Sequence, residues 1–505
     1  MKNAIDQILN FITMYRLTLY YVIALLIAAF CAGLFKLVSA EPTALFYSTG
    51  LITLTCWLTN RAFAWAFKVP TNTESIYITA FILALIMPPV MATNFIGNAV
   101  LIFAAVMAIA SKFILVVGRK HIFNPVALAV VASALVLDKP ATWWVGGNLP
   151  LLAFVLIGGL LVTRKVQRFD MLGAYLLANI AATLATTAPA MYGTALQETL
   201  LYSPLLFAGF AMLTEPLTAA QGKISRLIYG AIIGLLSSPN IHIGEFYLTP
   251  EIAFLVGNLY AFIVNPKGRF KFTLLRIEKA ATGCYDYVFQ TDRKPNFQAG
   301  QYLDWTMDLP NVDTRGNRRP FTIASAPSEN EIRLGLKFYA QPSSFKKQLL
   351  EMRPGDAIYG SQISGDFTLP KNPNEKLAFL AGGIGVTPFR SMIEDLANRR
   401  ENRSIVMLYG NNKMDEIAYS SLFQKAANDI DLRTVYAVAE GDTGNYNIHK
   451  GFINETLIRR EIPDFMERTF YISGPRSMVL RFQEALRKLG ISRSRIKVDY
   501  FPGFA

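Results

Sequence analysis

Leu377–Pro388 reads Leu-Ala-Phe-Leu-Ala-Gly-Gly-Ile-Gly-Val-Thr-Pro, a stretch whose residue types can hold a phosphate. Apolar Leu377–Leu380 predicts a short buried strand, and Gly382, Gly383 and Gly385 a sharp turn. Phe389, Met392, Ile393 and Leu396 then fall at helical spacing. A helix start presents unpaired backbone N–H groups to an anion. Glycines before it let the ligand approach the backbone without a Cβ in the way. A glycine turn alone is a common strand–helix connection; its company gives it meaning. Earlier in the chain stands Arg319-Pro320-Phe321-Thr322, and later Ser473-Gly474-Pro475.

The ordered set Arg-x-aromatic-Ser/Thr, Gly-Gly-x-Gly-x-Thr-Pro and small-Gly-Pro resembles the ferredoxin–NADP reductase superfamily of flavin oxidoreductases, over about residues 268–505. The resemblance implies FAD and NADH or NADPH as cofactors. In that reading Phe321 stacks on the flavin, Arg319 pairs with its pyrophosphate, and Thr322 brings a hydroxyl to the redox-active N5. Pro320 lies between them, and Lys337 and Phe338 line the ribityl side. Ser343-Ser344 forms the second pyrophosphate contact at a helix start, for which an ordinary helix N-cap is the alternative. Gly382, Gly383, Gly385, Thr387 and Pro388 meet the nicotinamide ribose and pyrophosphate, and Asn411 the adenosine ribose. Ser473, Gly474 and Pro475 flank the nicotinamide; Ser473 stands where many relatives carry a cysteine. Phe501 or Tyr500 shields the flavin from the chain's end, with plain packing of the last strand as the alternative. Thr322, Ser473 and Phe501 are the candidate catalytic residues. Lys413 is the sole cation near the adenosine ribose, which favours NADH over NADPH.

These residues need two supports. Residues 268–370 alternate short strands with turns, as at Phe270–Ile277, Tyr285–Gln290 and Leu334–Tyr339, and predict an antiparallel barrel. From Lys376, strands at 377–380, 405–410, 434–439 and 469–473 alternate with helices near 387–399, 416–428, 453–458 and 475–489. That is an open parallel α/β sheet, which binds dinucleotides at the carboxyl ends of its strands. The predicted domains are 1–266, a helical membrane bundle; 267–372, an FAD-binding β-barrel; and 373–505, an NAD(P)-binding α/β domain.

The chain has 505 residues, 52% hydrophobic and 17% charged, with a formal net charge of +13. The apolar residues concentrate in 17–265, in segments near 17–39, 44–66, 75–91, 95–117, 122–137, 149–163, 171–189, 200–214, 224–238 and 247–265. Several fall short of the ~20 residues that span a bilayer. Basic residues nonetheless alternate sides: Arg16, Arg61, Arg119, Lys120, Arg164, Lys165, Lys223, Arg226 and Lys267 fall on one side. This predicts about ten passes through a bacterial-type inner membrane, with both termini and the reductase half cytoplasmic. It also accounts for the net charge without nucleic acid, since no basic run is interleaved with aromatics.

The phrases Leu85-Ile86-Met87-Pro88-Pro89, Ile122–Leu128 and Phe210–Pro216 resemble the flavin-carrying membrane protein common to two bacterial complexes, the sodium-translocating NADH:quinone reductase and the Rnf complex. The resemblance implies a flavin-carrying bundle, with Asn124 and Thr214 at a polar pocket. It departs where those proteins attach FMN to a Ser-Gly-Ala-Thr loop, which is missing here. The expectation is therefore a second, noncovalent flavin (FMN or riboflavin). Three histidines, His121, His242 and His449, do not suffice for paired bis-histidine haems, and three scattered cysteines exclude an in-chain iron–sulfur cluster. No metal-ligand spacing is present. The function implied is electron transfer from NADH through FAD to the membrane half, and on to a quinone or an extracytoplasmic acceptor protein. Two alternatives stand beside it. One is a redox-driven sodium transporter, with Glu74, Asp170, Glu215 and Glu251 as candidate ion groups; the other is a membrane-anchored reductase of a cytosolic partner.

Overall fold

A computed structural model of the chain describes residues 9, 12–67, 73–117, 120–265, 269–307, 309, 317–440 and 448–501. The chain falls into two compact units, Met1–Gly268 and Arg269–Ala505.

The first unit is helical. Each apolar segment of the sequence holds a helix: Met14–Leu34, Pro42–Phe67, Thr73–Ile86, Phe95–Ile114, Pro125–Leu137, Leu149–Val166, Phe169–Ala185, Leu205–Ala211, Lys223–Leu236 and Pro250–Val264. Three of these, Met14–Leu34, Phe95–Ile114 and Leu149–Val166, are long and apolar enough to cross a membrane. Four more are apolar but shorter. Polar residues mark where helices start. Thr13 and Asn94 accept from backbone N–H groups in the first turns of their helices, and proline opens the helices at 125, 149 and 250. Sequence periodicity did not show the irregular run Pro189–Tyr202, which passes from 3₁₀ through α to π geometry. Two carboxylates proposed as ion groups are held by arginines: Arg16 Nη2 lies 2.6 Å from Glu74, and Arg226 Nη2 lies 2.6 Å from Asp170. Buried Glu251 accepts from Trp143 Nε1 at 3.0 Å.

The second unit opens with six antiparallel strands: β1 (Phe270–Ala281), β2 (Cys284–Thr291), β3 (Tyr302–Thr306), β4 (Arg318–Thr322), β5 (Ile332–Lys337) and β6 (Ala357–Ser364). They pair in the order β4-β3-β6-β1-β2-β5. A backbone bond from Ala324 N to Arg333 O (2.9 Å) draws the two edges together just beyond β4 and β5. Alternation fills the interior: Ile332, Leu334 and Leu336 of β5 face Phe272, Phe289 and Trp305, all buried.

Six parallel strands follow: β7 (Leu377–Gly382), β8 (Ile405–Asn411), β9 (Leu432–Val438), β10 (Ile448–Lys450), β11 (Thr469–Pro475) and β12 (Ile496–Phe501). Their order is β10-β9-β8-β7-β11-β12. The chain starts in the middle and winds outward in both directions, so a crevice opens at the carboxyl end of β7. Sequence reasoning found β7, β8, β9 and β11 but missed three-residue β10. Strand β7 is buried along its whole length because helices cover both faces. Phe379 stacks on Phe389 of the helix Thr387–Arg399, ring centroids 4.6 Å apart. Phe379→Ala removes that contact from a closed core and is expected to cost about 3–5 kcal/mol. Calorimetry of the full-length protein should read this as a lower unfolding temperature for the second unit.

Candidate functional site

The two sheets of the second unit enclose a cleft of about 940 Å³, near the upper end of the ~300–1,000 Å³ typical of ligand pockets. Strand β4 supplies one wall with Arg319, Pro320, Phe321 and Thr322. The turn after β7 supplies the other with Gly382, Gly383, Gly385 and Thr387. Two motifs some sixty residues apart in sequence thus face each other across one space.

Local geometry explains each wall. Gly383 has φ +52°, and a Cβ there would meet open space, so the turn leaves room above its backbone. At Gly385 a Cβ would lie 2.4 Å from Gly474 Cα and 2.7 Å from Ser473 O. No side chain fits there, because the turn rests directly on the end of β11. On the other wall, the Arg319 guanidinium lies 5.6 Å over the Phe345 ring, and Phe321 packs on the same ring with centroids 5.7 Å apart. Arg319 and Phe321 therefore share a face, as strand alternation requires.

Other predicted residues take different places. Ser343 lines the cleft and caps the helix Ser344–Glu351, accepting from Lys346 N at 3.3 Å. Ser344 and Pro388 are first-turn helix residues outside the lining. Gly474 and Ser473 lie under the cleft floor, while Pro475 reaches it. Ser473 is fully buried and its Oγ has no hydrogen-bond partner. Asn411 lines the cleft at the end of β8, its amide atoms buried and without a hydrogen-bond partner. Lys337 lines the cleft, but its Nζ is bonded to Glu416 at 3.0 Å. Phe338 must be corrected. Alternation along β5 turns it, with Leu334 and Leu336, toward the barrel core, where it packs on Tyr285 and Tyr287. Tyr339 takes the place in the cleft wall expected of Phe338. The backbone of Phe501 ends β12, paired with Pro475; its side chain lies outside the described residues, as do residues 502–505 and Arg119.

Sequence reasoning missed a third wall, formed by Gly451–Ile453 after β10 and by Met478, Arg481 and Phe482 of the helix Arg476–Lys488. Their one signal is the apolar Phe452, 67% exposed at the lip.

In the first unit, Asn124 and Thr214 do meet at one cavity, of about 60 Å³ and lined also by Ser75, Thr79 and Glu215. Their polar atoms are engaged. Asn124 Oδ1 accepts from Val126 N and Ala127 N, Asn124 Nδ2 donates to Glu215 Oε2 at 2.8 Å, and Thr214 Oγ1 donates to Phe210 O. The space suits a few water molecules and does not fit a flavin ring. Glu215 also accepts from Thr218 and faces His121 Nε2 at 3.4 Å.

Residues 379–484 match the family described as the oxidoreductase NAD-binding domain. The flavohemoprotein of Bacillus subtilis (strain 168) is 24% identical over 221 residues, 43% of this chain and 54% of that one. A component of the Na(+)-translocating NADH-quinone reductase of Klebsiella pneumoniae is 30% identical over 171 residues, 32% of this chain and 42% of that one. Among solved structures, the cytochrome b5 reductase domain of Ulva prolifera nitrate reductase aligns with a TM-score of 0.41 and 19% identity, over 47% of this chain and 98% of that one. Residues 379–484 are thus similar to an NAD-binding oxidoreductase domain, in a chain whose relatives named above are oxidoreductases or contain oxidoreductase components. The chain spans about half the length of the curated relatives it matches.

Two outcomes follow from this geometry. Gly385→Ala forces a Cβ into the β11 backbone. It should abolish flavin reduction by NADH, while the flavin absorbance of the purified protein persists. Asp286 on β2 is 3% exposed, and burial holds its carboxyl above the ordinary range despite Tyr419, Arg390 and Arg333 nearby. A raised carboxyl favours the folded state in acid, and this contribution is lost as the pH rises through the folded pKa. Asp286→Asn should therefore gain on the wild type from about pH 4 upward. Urea midpoints measured across pH check this; parallel curves would contradict it.

Proposed function

We propose that this protein is a membrane-bound NADH-dependent flavin reductase that sends electrons to a quinone or an extracytoplasmic acceptor protein. The single observation behind the reading is the shared cleft, with Arg319–Thr322 opposite the Gly382–Thr387 turn. FAD bound there supplies a two-electron acceptor for the NADH hydride and passes the electrons on one at a time.

The chain's own residues bind and orient. Arg319 offers a guanidinium fork to pyrophosphate oxygens, and Phe321 an aromatic face. Thr322 brings a small hydroxyl to the reacting edge. The N–H groups of the Gly383–Gly385 turn receive the dinucleotide phosphates. Pro475 and buried Ser473 set the depth to which the nicotinamide enters. No side chain needs to act as acid or base, because the reaction is a hydride transfer between two rings whose spacing the walls fix. Arg481 is the one arginine on the dinucleotide-sheet side of the lining among the described residues; a 2′-phosphate would call for more than one cation, which supports NADH over NADPH.

The helical unit is read as a multi-pass bundle related to the flavin-carrying membrane protein of the sodium-translocating reductase and the Rnf complex. In this reading both chain ends are cytoplasmic, and the acceptor is reached through the bundle. The three long apolar helices and the alternation of basic loops support it. No electron step is assigned to the Asn124–Thr214 cavity.

Anaerobic titration of the purified full-length protein with NADH tests the reading. One equivalent should bleach the flavin absorbance near completion, and NADPH should do so much more slowly; an unbleached flavin refutes it. Acid release counts the flavins: FAD alone leaves a second flavin out, and an equal amount of FMN or riboflavin brings one in. Reporter fusions at both termini should report the cytoplasm, and a split result overturns the topology.

A further inference from the structure

The cleft walls are tied together by a group that lines no part of the cleft. Tyr419 opens the helix Ser420–Ala426 with φ +60°, a left-handed conformation that a side-chain-bearing residue rarely adopts. Strain of this kind persists only where the surroundings hold it. Here the Tyr419 hydroxyl reaches from the dinucleotide sheet to the barrel and donates to Asp286 Oδ1 at 2.5 Å. The Arg390 guanidinium lies 5.7 Å over the Tyr419 ring. Arg390 in turn forks onto both oxygens of Glu329, at 2.8 and 3.1 Å, and donates to Ala324 O at 2.7 Å. Its neighbour Ser391 donates to Ser325 O at 2.7 Å.

These bonds join two particular segments. Arg390 and Ser391 belong to the helix that begins with Thr387 in the cleft wall. Residues 324–329 follow directly on the strand that ends with Thr322 in the opposite wall. Gly335 shows how tightly they meet. A Cβ there would lie 2.6 Å from the Tyr419 hydroxyl, 2.7 Å from Thr387 Cγ2 and 3.1 Å from Asp286 Oδ1. The hydroxyl, the Thr387 methyl and the carboxylate therefore surround one point at Gly335, in the cleft wall itself.

We propose that Tyr419 is a positioning residue for hydride transfer, acting through Asp286 and Thr387 to fix the distance between the dinucleotide turn and the flavin strand. The proposal rests on the reading that NADH reduces FAD in this cleft. Hydride transfer needs its reacting atoms about 3–3.5 Å apart, so a small relaxation of the walls slows the step while binding persists.

Tyr419→Phe removes one hydrogen bond and almost no volume. In the full-length, FAD-loaded protein, the FAD content and the NADH dissociation constant should stay within about threefold of wild type. The limiting rate of flavin reduction in stopped flow should fall at least tenfold, and the isotope effect with 4-deuterated NADH should rise. Asp286→Ala removes the acceptor through which the hydroxyl acts and should lower the limiting rate as far as Tyr419→Phe does. Ser391→Ala cuts a tie between the same segments away from the cleft. It should lower the unfolding temperature and leave the rate alone, the outcome a merely structural tie gives. The proposal is overturned if the Tyr419→Phe or the Asp286→Ala rate stays within threefold of wild type, or if Ser391→Ala falls as far as they do. If Tyr419→Phe purifies without FAD, Asp286→Ala alone is held against the same limits. Wild type that NADH does not bleach refutes the underlying reading and the proposal with it. Bleached wild type beside an unaffected variant refutes the proposal alone.

Discussion

Two backbones touch where the turn after β7 crosses the end of β11, and the cleft is built on that contact. Gly385 lies against Gly474 with no room for a single carbon between them. The contact brings the start of the helix Thr387–Arg399 down to the carboxyl ends of the strands, where its free N–H groups face the cleft. Any larger residue would lift the turn, and the phosphate-binding groups would move away from the barrel wall. The rest of the sheet gives this contact a rigid base: β7 is paired on both sides and buried throughout.

The opposite wall is held differently. Strand β4 is an edge strand paired only with β3, and an edge has fewer constraints on its position. Side chains make up the difference. Arg390, Ser391 and Tyr419 reach from the dinucleotide sheet to the barrel, and the Lys337–Glu416 pair spans the same gap at the cleft itself. Buried charged groups of this kind are costly unless every partner is present. The network accordingly specifies one arrangement of the two sheets more than it stabilises the unit.

Much of this was legible in the sequence because the decisive signals are local. A glycine turn between an apolar run and a helical period can be read from a dozen residues, and so can the parallel strands. Where reading failed, the missing information was long-range. Phe338 was assigned to the cleft because nothing nearby gives the register of β5, and a one-residue shift exchanges its faces. The partner of Lys337 stands 79 residues away. The third wall, from Gly451 to Phe482, carries no motif and becomes a wall only because β10 and β11 end at the same level. In the helical unit the segments were legible from composition. The closing of Asn124 around its own helix start and Glu215 was not, since a polar cap and a polar pocket have the same residues.

Ser473 has a chemical consequence. The reductase half contains a single sulfhydryl, Cys284, which is enclosed in the barrel; burial pushes its pKa up to about 11. Near neutrality, almost none of it is in the nucleophilic, oxidisable anionic form. With Ser473 beneath the cleft floor, the described lining offers no sulfhydryl, and its one sulfur among the described residues is the Met478 thioether. Oxidation at the cleft would therefore fall on a thioether, which becomes polar as its sulfoxide, and not on a thiolate.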